Sequence, residues 1–276
     1  MSEWAAVGGG SDGSVASLFD VYDELLVPLI FQSYADALVA RLADVRTGSV
    51  LEIAAGTGAV TRPLAAALPA EISITATDLV PGMIARAERV GTARPVTWQQ
   101  ADAMALPYDD ESFDVVVCQF GVMFLTPKAD AFAEVRRVLR PGGRFLFSVW
   151  DRLEANEVPA AVCDIVKGLF TDNPPDFLER TPYGYHDPEA IVADLRAGGF
   201  DAPAAVEAIE HRSAPMGPVE VATAVCAGTP MRNEIEGQAA GRLGDVIAAT
   251  AAALADRYGP GDLTGPTRAR FVAVVR

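Results

Sequence analysis

Between Val50 and Trp150, short apolar runs alternate with helix-patterned ones roughly every 20 to 30 residues. Few folds accommodate that rhythm, and the commonest is a parallel, doubly wound α/β sheet. Val50 to Ala54 reads as a first strand, Ala55 to Gly58 as a glycine turn and Ala59 to Leu68 as a helix. The run ISITATD (72–78) reads as a second strand ending in an acid, and LVPGMIARAERV as the helix after it. Residues 96–102 and 113–120 supply two more strands. The second of these, FDVVVCQF, is an apolar run of the kind that suits a strand buried on both faces. Residues 129–140 pattern as an amphipathic helix that stops at Pro141-Gly142-Gly143, ahead of a fifth strand over 144–150.

Outside that stretch the pattern changes. Residues 15–45 have helical periodicity, with a break expected before Pro28. After Trp150 the chain reads as helical and then irregular to 185, with a helix over 188–198 and a strand over 204–212. Two or three Ala-rich helices follow within 217–257, and TRARFVAVVR (267–276) is a closing strand.

Charge and composition remove several classes. Lys plus Arg is 22 and Asp plus Glu is 37, a net charge of −15, which disfavours a phosphate backbone as partner. Half the residues are apolar, enough for a sizeable core. There is no uninterrupted apolar run of about 18 residues, so no membrane-spanning helix is expected. MSEWAAVGGGSDGS lacks a basic region followed by an apolar stretch and reads as a flexible leader, not a signal peptide. Cys118, Cys163 and Cys226 lie far apart, which suits a reducing cytoplasm and offers neither zinc nor disulfide spacing. A cytoplasmic location and no metal are expected.

In a doubly wound sheet, ligands bind beyond the carboxyl ends of the strands, and Gly56-Thr57-Gly58 falls there, after the first strand. Glycine lets the backbone approach a ligand closely, and the following helix offers free N–H groups. Asp78 ends the second strand, where a carboxylate can accept from both ribose hydroxyls of an adenosine cofactor. A dinucleotide fingerprint would want a third glycine where Thr61 stands, and no Gly-Lys-Ser/Thr phosphate loop exists. Asp102 ends the third strand, where it can accept from an exocyclic adenine amine.

LEIAAGTG, TATD, the ADAMALPYDDESFDVV block and RRVLRPGGRFLF together closely resemble the class I S-adenosylmethionine-dependent methyltransferases, and among these the menaquinone/ubiquinone-biosynthesis C-methyltransferase type. The resemblance is specific over 46–150 and architectural elsewhere. It implies a Rossmann-like, seven-stranded doubly wound α/β sheet with the last strand antiparallel, covered by N-terminal and C-terminal helices. The organisation then expected is a leader over 1–14, a helical cap over 15–45, an S-adenosylmethionine-binding core over 46–150, and helical lid insertions with the closing strands over 151–276. The resemblance implies that Ala54, Gly56 and Gly58 line the methionine end and that Thr61 bonds its carboxylate. It puts Asp78 on the ribose, Leu79 and Met83 around the adenosine, and Asp102 and Ala103 at the adenine. Gln119 would lie beside the cofactor, and Glu52 would order the glycine turn. Ala54 stands where the familiar motif has glycine, and fits there if its φ is negative.

Methyl transfer from a sulfonium is an in-line displacement, so the protein mainly aligns the reactants and excludes water. A general base matters for a phenol, an enol or a protonated amine. Tyr22-Asp23 is similar to a Tyr-Asp pair that precedes the cofactor pocket in related enzymes, with Tyr22 near the methionine carboxylate; a helix face explains the pair equally well. His186, between Tyr185 and Asp187-Pro188, is a candidate proton acceptor, against the alternative of packing at a helix start. His211 reads as an ordinary strand residue. Phe120, Met123 and Phe124 either face an acceptor or pack in the core. Asn173-Pro174-Pro175-Asp176 lies in the wrong place for an amino-methyltransferase motif, and Asp109 to Glu111 read as a solvated turn. The expected acceptor is a small, mostly apolar molecule of quinone, phenol or polyketide type, with no nucleic-acid partner and a homodimer left open. Two other readings stay open here: a cofactor-binding protein without transfer activity, and a nicotinamide oxidoreductase.

Overall fold

The structure, a computed structural model, describes residues 17–238 and 240–276. The leader expected over 1–14 lies outside the described residues. Ser17 starts the first helix with a reciprocal cap: its hydroxyl accepts from the Asp20 N–H at 3.2 Å while Asp20 Oδ2 accepts from the Ser17 N–H at 3.3 Å. Helix α1 (Leu18–Val21) runs into a π-helix over Tyr22–Phe31 and then α2 (Gln32–Ala40). The break expected before Pro28 is absent, because Pro28 lies inside the π-helix. The wider turn lets the chain pass a residue that has no N–H to give, and the Gln32 N–H closes onto the carbonyl of Val27, five residues back.

The remaining elements follow the expected alternation. They are β1 (Ser49–Ile53), α3 (Thr61–Ala67), β2 (Ser73–Asp78), α4 (Pro81–Val90), β3 (Thr97–Gln100), β4 (Phe113–Gln119), α5 (Lys128–Val138) and β5 (Leu139–Trp150). Then come α6 (Glu157–Gly168), α7 (Phe177–Arg180), α8 (Pro188–Ala197), β6 (Ala205–Arg212), α9 (Pro218–Ala227), α10 (Met231–Gln238), α11 (Leu243–Tyr258) and β7 (Pro266–Val275). The seven strands form one sheet in the order β3-β2-β1-β4-β5-β7-β6. β1 to β5 pair in parallel, and β7 pairs antiparallel with β5 from Arg144↔Val275 to Trp150↔Ala269. Pro141-Gly142-Gly143 does not lie outside the sheet as a turn. Leu139 already pairs with Phe113, and Arg144 pairs with Val115, so the intervening residues bulge from β5. The end of β7 fastens this bulge, with the Arg276 N–H donating to the Gly143 carbonyl at 2.9 Å.

The chain divides into two compact units. One holds Tyr34–Trp150, Tyr185–Ile209 and Ala269–Arg276. Its core is the sheet interior, where Val50, Leu51, Val116, Val117, Phe145, Phe147 and Phe132 are fully buried or nearly so. The other unit holds the described residues up to Ser33 with Asp151–Gly184 and Glu210–Arg268. There α6, α9 and α11 pack together, and α9 also packs on the π-helix. A polar knot ties its chain crossings: Asp151, 4% exposed, meets Arg268 Nε at 3.0 Å, and the Arg268 N–H donates to Asn156 Oδ1 at 3.0 Å. None of the helices among the described residues is long and apolar enough to cross a membrane.

Candidate active site

The strand order reverses between β1 and β4, and the carboxyl ends of these two strands open the crevice where such sheets take ligands. The turn leaving β1 carries left-handed residues at Ala54 (φ +52°), Gly56 (φ +57°) and Gly58 (φ +88°). The negative φ expected at Ala54 is therefore wrong. The backbone needs a left-handed residue there, and an alanine supplies it at a steric cost of about 1–2 kcal/mol. Every second residue in the left-handed region turns successive N–H groups toward one side, the arrangement that binds electron-rich groups. Gly58 permits close packing beneath the turn, since a β-carbon there would stand 3.1 Å from the Trp98 ring.

Asp78 ties the turn to the end of β2. Its Oδ2 accepts from the Gly56 N–H and its Oδ1 from the Val80 N–H, each at 2.8 Å. Burial raises its pKa, while the N–H groups of Val80, Gly56 and Leu79 oppose that shift. Each carboxylate oxygen keeps a lone pair for a further donor. Beside it Leu79 is 37% exposed, unusual for a large apolar side chain next to a buried acid. Met83, expected with Leu79, is buried along with Ile84 and Ala87 on α4. Asp102 lies just beyond β3 and is exposed, with Oδ1 accepting from the Met104 N–H at 2.9 Å; Ala103 is buried.

Beneath the turn, Glu52 is buried within β1, and the Thr61 hydroxyl donates to its Oε2 at 2.6 Å. Thr61 is fully buried and turned inward, so its hydroxyl is not presented to a ligand carboxylate as expected. Burial is the main cause that raises the Glu52 carboxyl to about 8; the nearby Asp78 adds to the rise, and the Thr61 hydrogen bond and Arg62 oppose it.

β4 ends at Gln119, which is half-buried. Phe120 follows in the left-handed region (φ +52°), a costly conformation for a bulky residue and one that clusters at functional sites. Its N–H donates to the Ser148 carbonyl at 3.0 Å. Its ring stacks on Trp150 with centroids 3.9 Å apart and planes 9° apart, and Tyr34 meets both rings edge-on. Cys118, just before, is buried, and burial pushes its thiol up to about 12, which leaves it inert.

Glu52, Ala54, Gly56, Gly58, Thr61, Asp78 and Gln119 thus gather at the carboxyl ends of β1, β2 and β4, with Leu79, Asp102 and Ala103 along the ends of β2 and β3. Tyr22 and Asp23 belong to the other unit, on the π-helix, where the Tyr22 ring lies 5.4 Å from that of Phe31. His186 shares the sheet's unit, and its Nδ1 is buried without a hydrogen-bond partner. His211 lies half-buried on β6. The Asn173–Asp176 loop has a structural explanation: Glu234 Oε2 accepts from the N–H groups of Asp176 and Phe177. Asp110 and Glu111 pair with Arg137 and Arg276.

A glycine turn after β1, an acid closing β2 and an antiparallel β7 inserted beside β5 make up the class I methyltransferase arrangement. The family described as "Methyltransferase domain" matches residues 51–147. A ubiquinone/menaquinone biosynthesis C-methyltransferase of Dinoroseobacter shibae is 32% identical over 206 residues, spanning 68% of this chain and 80% of the relative. A demethylmenaquinone methyltransferase of Deinococcus radiodurans is 29% identical over 203 residues, spanning 68% of this chain and 82% of the relative. The solved phosphoethanolamine N-methyltransferase 2 of Haemonchus contortus superposes with a TM-score of 0.60 at 17% identity, over 99% of this chain and 60% of that one; at that identity it shows the fold alone. The chain belongs to the S-adenosylmethionine-dependent methyltransferase family, among relatives of the ubiquinone/menaquinone C-methyltransferase type.

Proposed function

We propose that this chain transfers the methyl group of S-adenosylmethionine to a carbon or oxygen of a small, mostly apolar ring, of quinol, phenol or polyketide type. The observation that carries the cofactor half is the double anchoring of Asp78 by the Gly56 and Val80 N–H groups. It aims a carboxylate with spare lone pairs at the crevice, as two ribose hydroxyls require. The exposed Leu79 suits the face of a purine, and the exposed Asp102 carboxylate suits its amine. These residues fit the cofactor, which when bound supplies an electrophilic methyl group on a sulfonium.

The apolar character of the acceptor is supported by the residues leaving β4 (Phe120, Val122, Met123 and Phe124) and by the names of the relatives. Phe120 and Trp150 stack on each other in the interior, which fixes the start of the segment that leaves β4. The Asp78 carboxylate suits a place that must receive a cation, and its backbone N–H donors oppose the effect of burial on its charge. Where the acceptor is a phenol, His186 is the side chain we assign to proton uptake, since its buried Nδ1 has no competing partner.

The test has two parts. Calorimetry should show binding of S-adenosylmethionine and S-adenosylhomocysteine and none of nicotinamide dinucleotides. Labelled methyl should then move to at least one member of a panel of hydroxyquinols, phenols and amines, with the quinols ahead. Absence of binding by either sulfur nucleoside refutes the reading. Binding without transfer to any acceptor would leave a cofactor-binding protein that has lost catalysis.

A further inference from the structure

We propose that Lys128 is a positioning residue for the methyl acceptor, clamping the segment that leaves β4 so that its apolar side chains form a fixed wall of the acceptor site. The proposal rests on the methyl-transfer reading above. Lys128 is the first residue of α5 and is half-buried. Both circumstances are unfavourable for an ammonium group: the amino end of a helix carries partial positive charge, and burial strips hydration from the cation. A lysine at this place therefore does not serve the helix. Its bonds show what it serves instead.

The Lys128 ammonium donates to the carbonyl of Leu125 at 3.1 Å and to that of Met123 at 3.4 Å. It also stands 4.4 Å from the centre of the Tyr185 ring, within cation–π range. The Tyr185 hydroxyl donates to Asp194 Oδ2 at 2.8 Å, which locks the ring in place from α8. Burial, and then Asp194, push the Tyr185 phenol far above its ordinary range, so the ring stays neutral. One ammonium thus joins α5, the segment before it, the residues before α8 and α8 itself.

The same segment is held at its other end. Phe120 bonds the Ser148 carbonyl and stacks on Trp150, and Gly121 is wedged between Ala54 and Cys118. Val122, Met123 and Phe124 lie between the two anchors, in a single 3₁₀ turn closed by Phe124 N–H to Gly121 at 3.0 Å and Leu125 N–H to Val122 at 3.1 Å. A turn this short has little stability of its own. Lys128 supplies its second anchor, and the positions of Met123 and Phe124 depend on it.

Lys128→Met keeps the length and the apolar stem and deletes the charge; Lys128→Arg restores a cation; Tyr185→Phe keeps the ring and releases it from Asp194. Hydrogen exchange on the full-length protein should show the amides of Phe124 and Leu125 exchanging at least tenfold faster in Lys128→Met, with Val116 and Val117 unchanged. S-adenosylhomocysteine affinity should stay within twofold. With the acceptor found in the panel above, KM for the acceptor should rise about tenfold with a smaller change in kcat. Lys128→Arg should recover most of both effects, and Tyr185→Phe should fall between. Unchanged exchange at Phe124 and Leu125 overturns the clamp. Equal losses in cofactor and acceptor affinity, with exchange raised across the whole sheet, also overturn it, since Lys128 would then act on stability alone. Failure of the unmodified protein to bind S-adenosylhomocysteine is the separate result that removes the methyl-transfer reading, and the exchange measurement still judges the clamp.

Discussion

Ala54 occupies the space that a side chain on Gly121 would need. A β-carbon at position 121 would stand 2.5 Å from the Ala54 β-carbon and 2.7 Å from Cys118 Sγ, both far inside contact distance. The turns leaving β1 and β4 therefore interlock through one methyl group, and each constrains what the other can be.

Gly121→Ala should destabilise the protein by about 1–3 kcal/mol, the usual cost of overpacking. Ala54→Gly alone should change stability little, because relief at φ +52° is offset by the entropy of glycine in the unfolded chain. In the double variant part of the Gly121→Ala loss should return, since Ala54 is one of the two clashing groups. Denaturant unfolding of the four proteins measures the coupling; strictly additive losses would show that the two turns do not interlock.

Asp78→Ala should weaken S-adenosylhomocysteine binding by roughly 1–3 kcal/mol in calorimetry, the cost of removing a charged acceptor from buried donors. The N–H groups of Gly56 and Val80 lose the same acceptor, so the thermal midpoint should fall as well. An unchanged affinity would take Asp78 out of the cofactor site.

Thr61→Val should cost about 1 kcal/mol of stability, since it removes the hydrogen bond to Glu52, and should leave cofactor affinity nearly unchanged. The reason is that the hydroxyl is buried and faces inward. A tenfold loss of affinity would instead show that it holds the ligand after all.

Glu52 makes stability depend on pH. Its carboxyl lies at about 8 in the folded protein against 4.5 when unfolded, chiefly because burial disfavours the charge. The folded form holds the proton more tightly. The contribution is complete below pH 4.5 and is lost as pH rises toward 8, at roughly 1.4 kcal/mol per pH unit. Glu52→Gln should flatten the decline in unfolding free energy over that window. Parallel pH profiles for the two proteins would exclude Glu52 as its source.

Much of the site was legible because it is local. Gly56, Gly58, Asp78 and Asp102 stand at or just past the ends of strands whose apolar runs are visible in a single chain. The inward turn of the Thr61 hydroxyl was not legible, because Thr61 opens a helix whose rotation about its axis decides whether a side chain faces crevice or core. That rotation is set by packing against the sheet, which no spacing in the sequence encodes. The π-helix through Pro28 and the bulge at Pro141-Gly142-Gly143 escaped similarly, because a local rule for proline and glycine was overridden by long-range pairing.

The amino-acid sequence by itself determined the alternation of strands and helices, the position of the glycine turn and the acids at the strand ends. Hydrophobic period, turn residues and strand length act over a few neighbours and do not wait for the rest of the chain. Only the tertiary structure decided that Ala54 is left-handed, that its methyl fits the gap at Gly121, that Phe120 stacks on Trp150 and that Lys128 holds the turn before it. Each of these depends on groups brought together from distant strands and helices, and close packing leaves one conformation for them to share.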